Sequence, residues 1–238
     1  MKFIQKQKNT RGYYRLIELE RNSGTYDDIK NDKSKSIYTR DEVLGSLLEE
    51  QSFLCAYCMQ KINIKTATIE HIIGQNYIDN ETNGRDYQID YDNLLAVCNG
   101  KSCKEELHCD KSRANYQKLR PLFANPLKKQ IIGNIKFTNS GVVYYKQYQS
   151  KEEIKDFKDH MKCSEDNNIQ YDISYVLNLN CDNLKLQRKV VINALKKITK
   201  NWSNKDKIKK LLDEYQSGNR QCTEFYGLII YILSKKLR

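Results

Sequence analysis

The sequence predicts an α+β chain: a small strand-bearing centre rich in cysteine, set between an N-terminal arm with a helix and a mostly helical C-terminal region. Three observations predict it. Apolar residues recur at helical spacing near both ends, helical periodicity fails between residues 52 and 125, and that same stretch holds Cys55, Cys58, Cys98, Cys103 and Cys109. The boundaries follow as residues 1–51, 52–125 and 126–238, the last marked by Pro121 and Pro126, the only prolines in the chain.

Before residue 40, Tyr13, Tyr14, Leu16, Ile17 and Leu19 read as an arm or short helix packed on the rest. Thr39-Arg-Asp-Glu42 has the form of a capping box, in which a hydroxyl and a carboxylate satisfy free N–H groups of a first helical turn. Val43, Leu44, Leu47 and Leu48 then make one apolar stripe through about Gln51. In the centre, Thr68-Ile-Glu-His-Ile-Ile73 is β-branched and strand-like. Residues 131–138 and 142–145 flank Asn139-Ser-Gly141 as a β-hairpin. Ser150-Lys-Glu-Glu153 is a second capping box, with Ile154, Phe157 and Met161 behind it. Val191, Leu195, Ile198 and Trp202 follow helical spacing. So do Ile208, Leu211, Leu212 and Tyr215, and a last helix carries Cys222, Phe225, Tyr226, Ile229 and Leu233. An amphipathic helix needs such a stripe merely to fold, so these carry no functional reading. Cys163, Cys181 and Cys222 beside them read as core thiols.

The 238 residues hold 41 Lys+Arg against 30 Asp+Glu, a net charge of +11, and 39% are apolar. That is enough apolar material to bury a core, which excludes wholesale disorder. The longest apolar run, residues 226–233, falls far short of the roughly 18–20 residues that span a bilayer. No membrane association is expected. Met1-Lys-Phe-Ile-Gln-Lys lacks the pattern of a signal peptide, so a cytoplasmic location is expected, where thiols stay reduced. The cysteines then need a reason other than disulfides. The excess positive charge favours an acidic partner, above all nucleic acid, because neutralised phosphates release counterions. Lys196, Lys197, Lys200, Lys205, Lys207, Lys209 and Lys210 are dense enough to line a phosphate path or to form a solvated helix face.

Cys55-Ala-Tyr-Cys58 has the spacing of half a tetrahedral zinc site, since two thiolates three residues apart reach one ion at about 2.3 Å each. About 40 residues on, Cys98 finds a partner in Cys109, Cys103 or His108. Cys109 is preferred, because the polar residues 99–107 read as a surface insertion between two ligands, with Cys103 a bystander. Four thiolates close the coordination sphere, so such a zinc is structural and any chemistry lies elsewhere.

Between the two halves lie Glu70-His71 and Asp90-Tyr-Asp-Asn93-Leu-Leu, and after them Cys109-Asp-Lys-Ser-Arg113. Taken in order, the Cys-x-x-Cys, the Glu-His pair, Asn-Leu-Leu, a third cysteine and Cys-Asp-x-x-Arg resemble a zinc-containing HNH nuclease over residues 52–116. Leu47-Leu-Glu-Glu-Gln51 ahead of Leu54-Cys55, and Leu177-Asn-Leu-Asn180 followed by Leu184 and Arg188, resemble a narrower group. This is the PtuB-like HNH subunit of Septu-type antiphage systems, which works beside an SMC-like or ABC-type ATPase and is sometimes attached to retrons.

The resemblance implies a ββα-metal (His-Me finger) core in which zinc staples the ends and a second divalent ion is catalytic. It makes His71 the general base, because an imidazole is largely neutral at pH 7 and accepts a proton from water. It makes Glu70 and Asp110 the ligands of Mg2+ or Mn2+, and Asn93 the residue that fixes the loop. Asp110 stands where the family usually has His or Asn; a carboxylate is the harder donor and suits magnesium. Arg113, and more weakly Lys111, match the basic positions that hold a phosphate. Gly74 stands where relatives often carry proline. The implied partners are a nucleic acid, the ATPase subunit and, in retron systems, a reverse transcriptase with its RNA–DNA hybrid. The reading from another class is an inactive zinc-stapled binding or adaptor module.

Overall fold

The computed structural model describes residues 1–31, 39–100, 106–218, 220 and 222–238. It is a mixed arrangement of helices and two small antiparallel sheets. Among the described residues no helix is long and apolar enough to cross a membrane. Cys103 lies outside the described residues.

The N-terminal residues run against the core, with the Ile4 N–H donating to the Pro126 carbonyl. Helix α1 (Arg11–Arg21) is capped by Thr10, whose hydroxyl accepts from the Tyr13 N–H at 3.3 Å. Helix α2 (Tyr26–Asn31) follows, and α3 (Thr39–Glu50) buries Val43, Leu44, Leu47 and Leu48 as the sequence predicts. The carboxylate of Glu42 pairs with Arg15 on α1. Past the end of α3 the fully buried Gln51 acts as a piece of backbone. Its amide donates to the Leu54 and Ala96 carbonyls, and its oxygen accepts from the Ala96 N–H at 2.8 Å.

Gln51 thereby fixes the strand at the heart of the centre. Strands β1 (Ala67–His71) and β2 (Leu94–Cys98) pair antiparallel with Ala67 opposite Cys98 and His71 opposite Leu94. Helix α4 (Cys109–Arg113) closes this unit. Leu94, Leu95, Ala96 and Val97 are all fully buried, which is why β2 is an unbroken apolar run.

Helix α5 (Lys129–Gly133) takes Ile131 and Ile132, so the hairpin is shorter than the sequence predicts: β3 (Ile135–Phe137) and β4 (Val143–Tyr145) pair across Gly141. The Ser150–Glu153 capping box is present at the start of α6 (Lys151–Lys155), but the chain kinks at Phe157 and Met161 is exposed. Helix α7 (Glu165–Tyr171) runs into a π-helical turn, Asp172–Val176. There Asp172 accepts from the N–H groups of Phe123 and Ala124 and pairs with Arg120 at 3.1 Å. Helices α8 (Asp182–Ile198), α9 (Lys205–Gln216) and α10 (Tyr226–Leu237) complete the chain. Trp202 falls after α8 in a left-handed conformation. Cys222 and Phe225 precede α10, with Cys222 exposed and Cys163 half-buried, so only Cys181 of the three is a core thiol.

Candidate functional site

Cys55, Cys58, Cys98 and Cys109 converge from the turn after α3, the end of β2 and the start of α4. Their sulfurs all lie within 4.8 Å of one another. Cys58 and Cys98 approach to 3.7 Å, and Cys55 and Cys109 to 3.8 Å. A disulfide needs about 2.05 Å. A tetrahedron with metal–sulfur bonds of about 2.3 Å has edges of about 3.8 Å, so the cluster has the shape and donor set to hold a metal ion such as zinc.

The local backbone is built for convergence. The Met59 N–H donates to the Cys55 carbonyl and the Cys55 N–H to the Gln60 carbonyl, which folds the Cys-x-x-Cys knuckle. The Cys98 N–H donates to the Cys55 sulfur at 3.4 Å. Cys109 is fully buried and left-handed (φ +50°), a conformation that costs a residue with a β-carbon on the order of 1 kcal/mol or more. Its N–H donates to the Leu177 carbonyl. Burial pushes the Cys58 and Cys109 thiols well up, while hydrogen bonds from the neighbouring cysteines hold Cys98 well down. His108 is also buried, its Nδ1 3.2 Å from the Cys109 sulfur and 3.9 Å from that of Cys98. It flanks a cluster that four cysteines already complete.

The other end of the β1–β2 ribbon carries a cleft of about 280 Å3 lined by Tyr26, Glu70, His71, Gln75, Asp110 and Gln117. Neighbours on a strand normally face opposite sides. His71 is the last residue of β1, and with Glu70 it lines the same cleft. Its Nε2 is 2.9 Å from the Gln88 carbonyl. A carbonyl only accepts, which assigns the proton to Nε2 and leaves Nδ1 as the lone-pair nitrogen. The ring also packs edge-on against Tyr26, centroids 4.6 Å apart.

Glu70 is 1% exposed, and its two oxygens each accept from the Gln117 amide at 3.0 Å. Asp110, directly after Cys109, brings a second carboxyl within hydrogen-bonding reach. Burial, reinforced by Asp110 and opposed by Arg113 and Gln117, raises Glu70 to about 8. Burial raises Asp110 too, against the pull of Lys111.

Asn93 is buried, and its side chain makes three hydrogen bonds. Its oxygen accepts from the Ile73 N–H at 2.8 Å, and its amide donates to the Ile73 and Tyr87 carbonyls. It thus pins both ends of the loop that follows His71. Within that loop a β-carbon on Gly84 would lie 1.9 Å from the Gly74 carbonyl oxygen, so only glycine fits there.

Arg113 corrects the sequence reading. It is 0% exposed, donates to the Arg120 and Ile72 carbonyls at 3.1 Å, and has its Nε 3.7 Å from Glu70. Its guanidinium is spent on the fold and offers no face to a phosphate. Lys111 is exposed on α4, and Lys118 lines the cleft. Sequence reasoning missed Tyr26, Gln75, Gln117 and Lys118. Asp110, Ala114, Gln117 and Lys118 keep helical spacing, a signal that was legible, whereas Tyr26 comes from a distant helix with no local signature.

The chain matches no protein-family model and no curated protein sequence.

Proposed function

We propose that the chain is a metal-dependent HNH-type endonuclease that hydrolyses phosphodiester bonds of nucleic acid, built on a ββα-metal core formed by β1, β2 and α4. The observation that carries the reading is that His71, Glu70 and Asp110 line one cleft while His71 is held through Nε2. An inactive module has no use for that combination. The two adjacent carboxyls are hard oxygen donors with one buried guanidinium as counter-charge, a set that suits Mg2+ or Mn2+. Such an ion, when bound, supplies Lewis-acid stabilisation of the charge that develops on the scissile phosphate and the leaving 3′-oxygen.

The residues do the rest. Nδ1 of His71 accepts the proton of the attacking water, while the Gln88 carbonyl stabilises the imidazolium that results. Asn93 holds the loop that carries Gln75 and Gln88 against His71. Gln117 donates to both oxygens of Glu70 and so orients the carboxyl that, with Asp110, would hold the ion. Attack by water leaves 5′-phosphate and 3′-hydroxyl ends. On RNA the same base has a second route through the 2′-hydroxyl. Work beside an SMC-like or ABC-type ATPase in antiphage defence, with or without a retron, belongs to this proposal on the strength of the sequence resemblance.

The test is cleavage of plasmid DNA and of total cellular RNA by the purified chain, with and without magnesium and a candidate ATPase partner, beside His71→Ala. Magnesium-dependent cutting that falls by about 10²-fold or more in the variant is expected. A zinc-loaded, folded protein that cuts neither substrate under any of these conditions overturns the reading in favour of a binding module.

A further inference from the structure

Arg188 lies on the buried face of α8 between Leu184 and Ile192, 2% exposed. One guanidinium nitrogen donates to the Leu179 carbonyl, and Nε has no acceptor. The other two deeply buried arginines each face a carboxylate: Arg113 faces Glu70 and Arg120 faces Asp172. Arg188 has none among the described residues. The ionisable groups within electrostatic reach of it are the thiols of Cys58, Cys181 and Cys109. Arginine keeps its proton at neutral pH, and burial draws this one down only to about 10.

A buried cation without an anion is strongly unfavourable. Four thiolates around one divalent ion carry a net charge of about −2. We propose that Arg188 is the buried counter-cation of the metal-loaded four-cysteine cluster, so that metal in the cluster and helix α8 on the core hold each other in place. The chain around Arg188 fits this role. Leu177 accepts from the Cys109 N–H, Asn178 donates to the Leu107 carbonyl at 2.8 Å, and the Asp182 N–H donates to Glu106. Gln187 accepts at 2.7 Å from Gln60, whose oxygen lies 3.4 Å from the Cys58 sulfur. Residues 177–188 therefore form an outer cradle for the cluster, and the coupling runs both ways: whatever metal contributes to docking α8, α8 contributes to metal affinity.

The proposal rests on the metal reading of the cysteines and is independent of the nuclease reading. The test is zinc affinity of the full chain, by competition with a chromophoric chelator, for the wild type, Arg188→Met, Arg188→Lys and the control Lys189→Met, which removes an exposed positive charge from the same helix. Arg188→Met is expected to weaken zinc binding at least about tenfold, the scale of lost outer-shell partners, with Arg188→Lys closer to wild type and Lys189→Met near it. A folded Arg188→Met with wild-type affinity overturns the proposal, as does a Lys189→Met that weakens zinc equally. Amide exchange on the wild type gives a second readout that survives a variant that does not fold. Protection in residues 182–198 is expected to fall when zinc is removed, and unchanged protection overturns the coupling. A wild-type chain that binds no zinc fails the metal reading itself.

Discussion

A carboxyl as deeply buried as that of Glu70 needs compensation before it ionises, and its neighbours compensate only in part. Arg113 sits at 3.7 Å and Gln117 donates to both oxygens, but Asp110 pushes the other way and burial outweighs them all. With Glu70 at about 8 in the folded chain against 4.5 for the free group, the folded state holds the extra proton between those values. Its contribution to stability is then fully present below about pH 4.5 and is lost as pH rises through 8. The slope is at most about 1.4 kcal/mol per pH unit. Urea unfolding of the zinc-loaded, magnesium-free protein at pH 5, 6, 7 and 8 is expected to show stability declining relative to Glu70→Gln, whose amide has no proton to lose. Parallel curves for the two proteins would show that Glu70 ionises without strain. Residue types at this scale were legible: Glu70, His71, Asn93 and Asp110 stand out in the sequence as chemistry-bearing. Arg113 was misread because no sequence pattern distinguishes a guanidinium aimed at solvent from one aimed at backbone carbonyls.

The elements that position the cleft are short, and loops do much of the holding. The β1–β2 ribbon separates the cysteine cluster from His71 by the length of five paired residues, while α4 carries Cys109 and Asp110 side by side and so links the two ends. The loop between the strands is fixed by Asn93 and by the contact of Gly84 with the Gly74 carbonyl. Gly84→Ala is expected to force this contact open, lowering stability by about 1–3 kcal/mol and misplacing Gln75 and Gln88 around His71. Denaturant titration checks the first effect and the cleavage rate the second. A variant equal to wild type in both would show that the loop gives way without consequence. Strand β1 was readable from its β-branched run and α3, α8 and α9 from their stripes. The π-helical turn was not, because it is set by Asp172 reaching the Phe123 and Ala124 N–H groups far away in sequence, and the hairpin was overextended because Ile131 and Ile132 suit a helix as well as a strand.

At the scale of the molecule, the three regions visible in the sequence are not three independent folding units. The C-terminal region grips the cysteine-bearing centre at both halves of the cluster. Phe225 donates its N–H to the Met59 carbonyl and Gly227 to the Met59 sulfur beside the knuckle, while residues 177–188 surround the second half. These partners lie more than a hundred residues from Met59 and Gln60, a distance over which local pattern carries no information. Structural zinc supplies on the order of 10 kcal/mol of apparent binding energy to folding. In this architecture its loss must travel outward from the centre. Trp202, the only tryptophan, lies between α8 and α9 with the Lys236 ammonium 5.4 Å from its ring. Its fluorescence therefore reports the C-terminal helices and not the cluster. Stripping zinc with a strong chelator in native buffer is expected to shift Trp202 emission to the red and to lower the urea midpoint seen by that residue, in step with metal release. Zinc release that leaves Trp202 unchanged would mean that the C-terminal helices stand on their own core and merely rest on the centre.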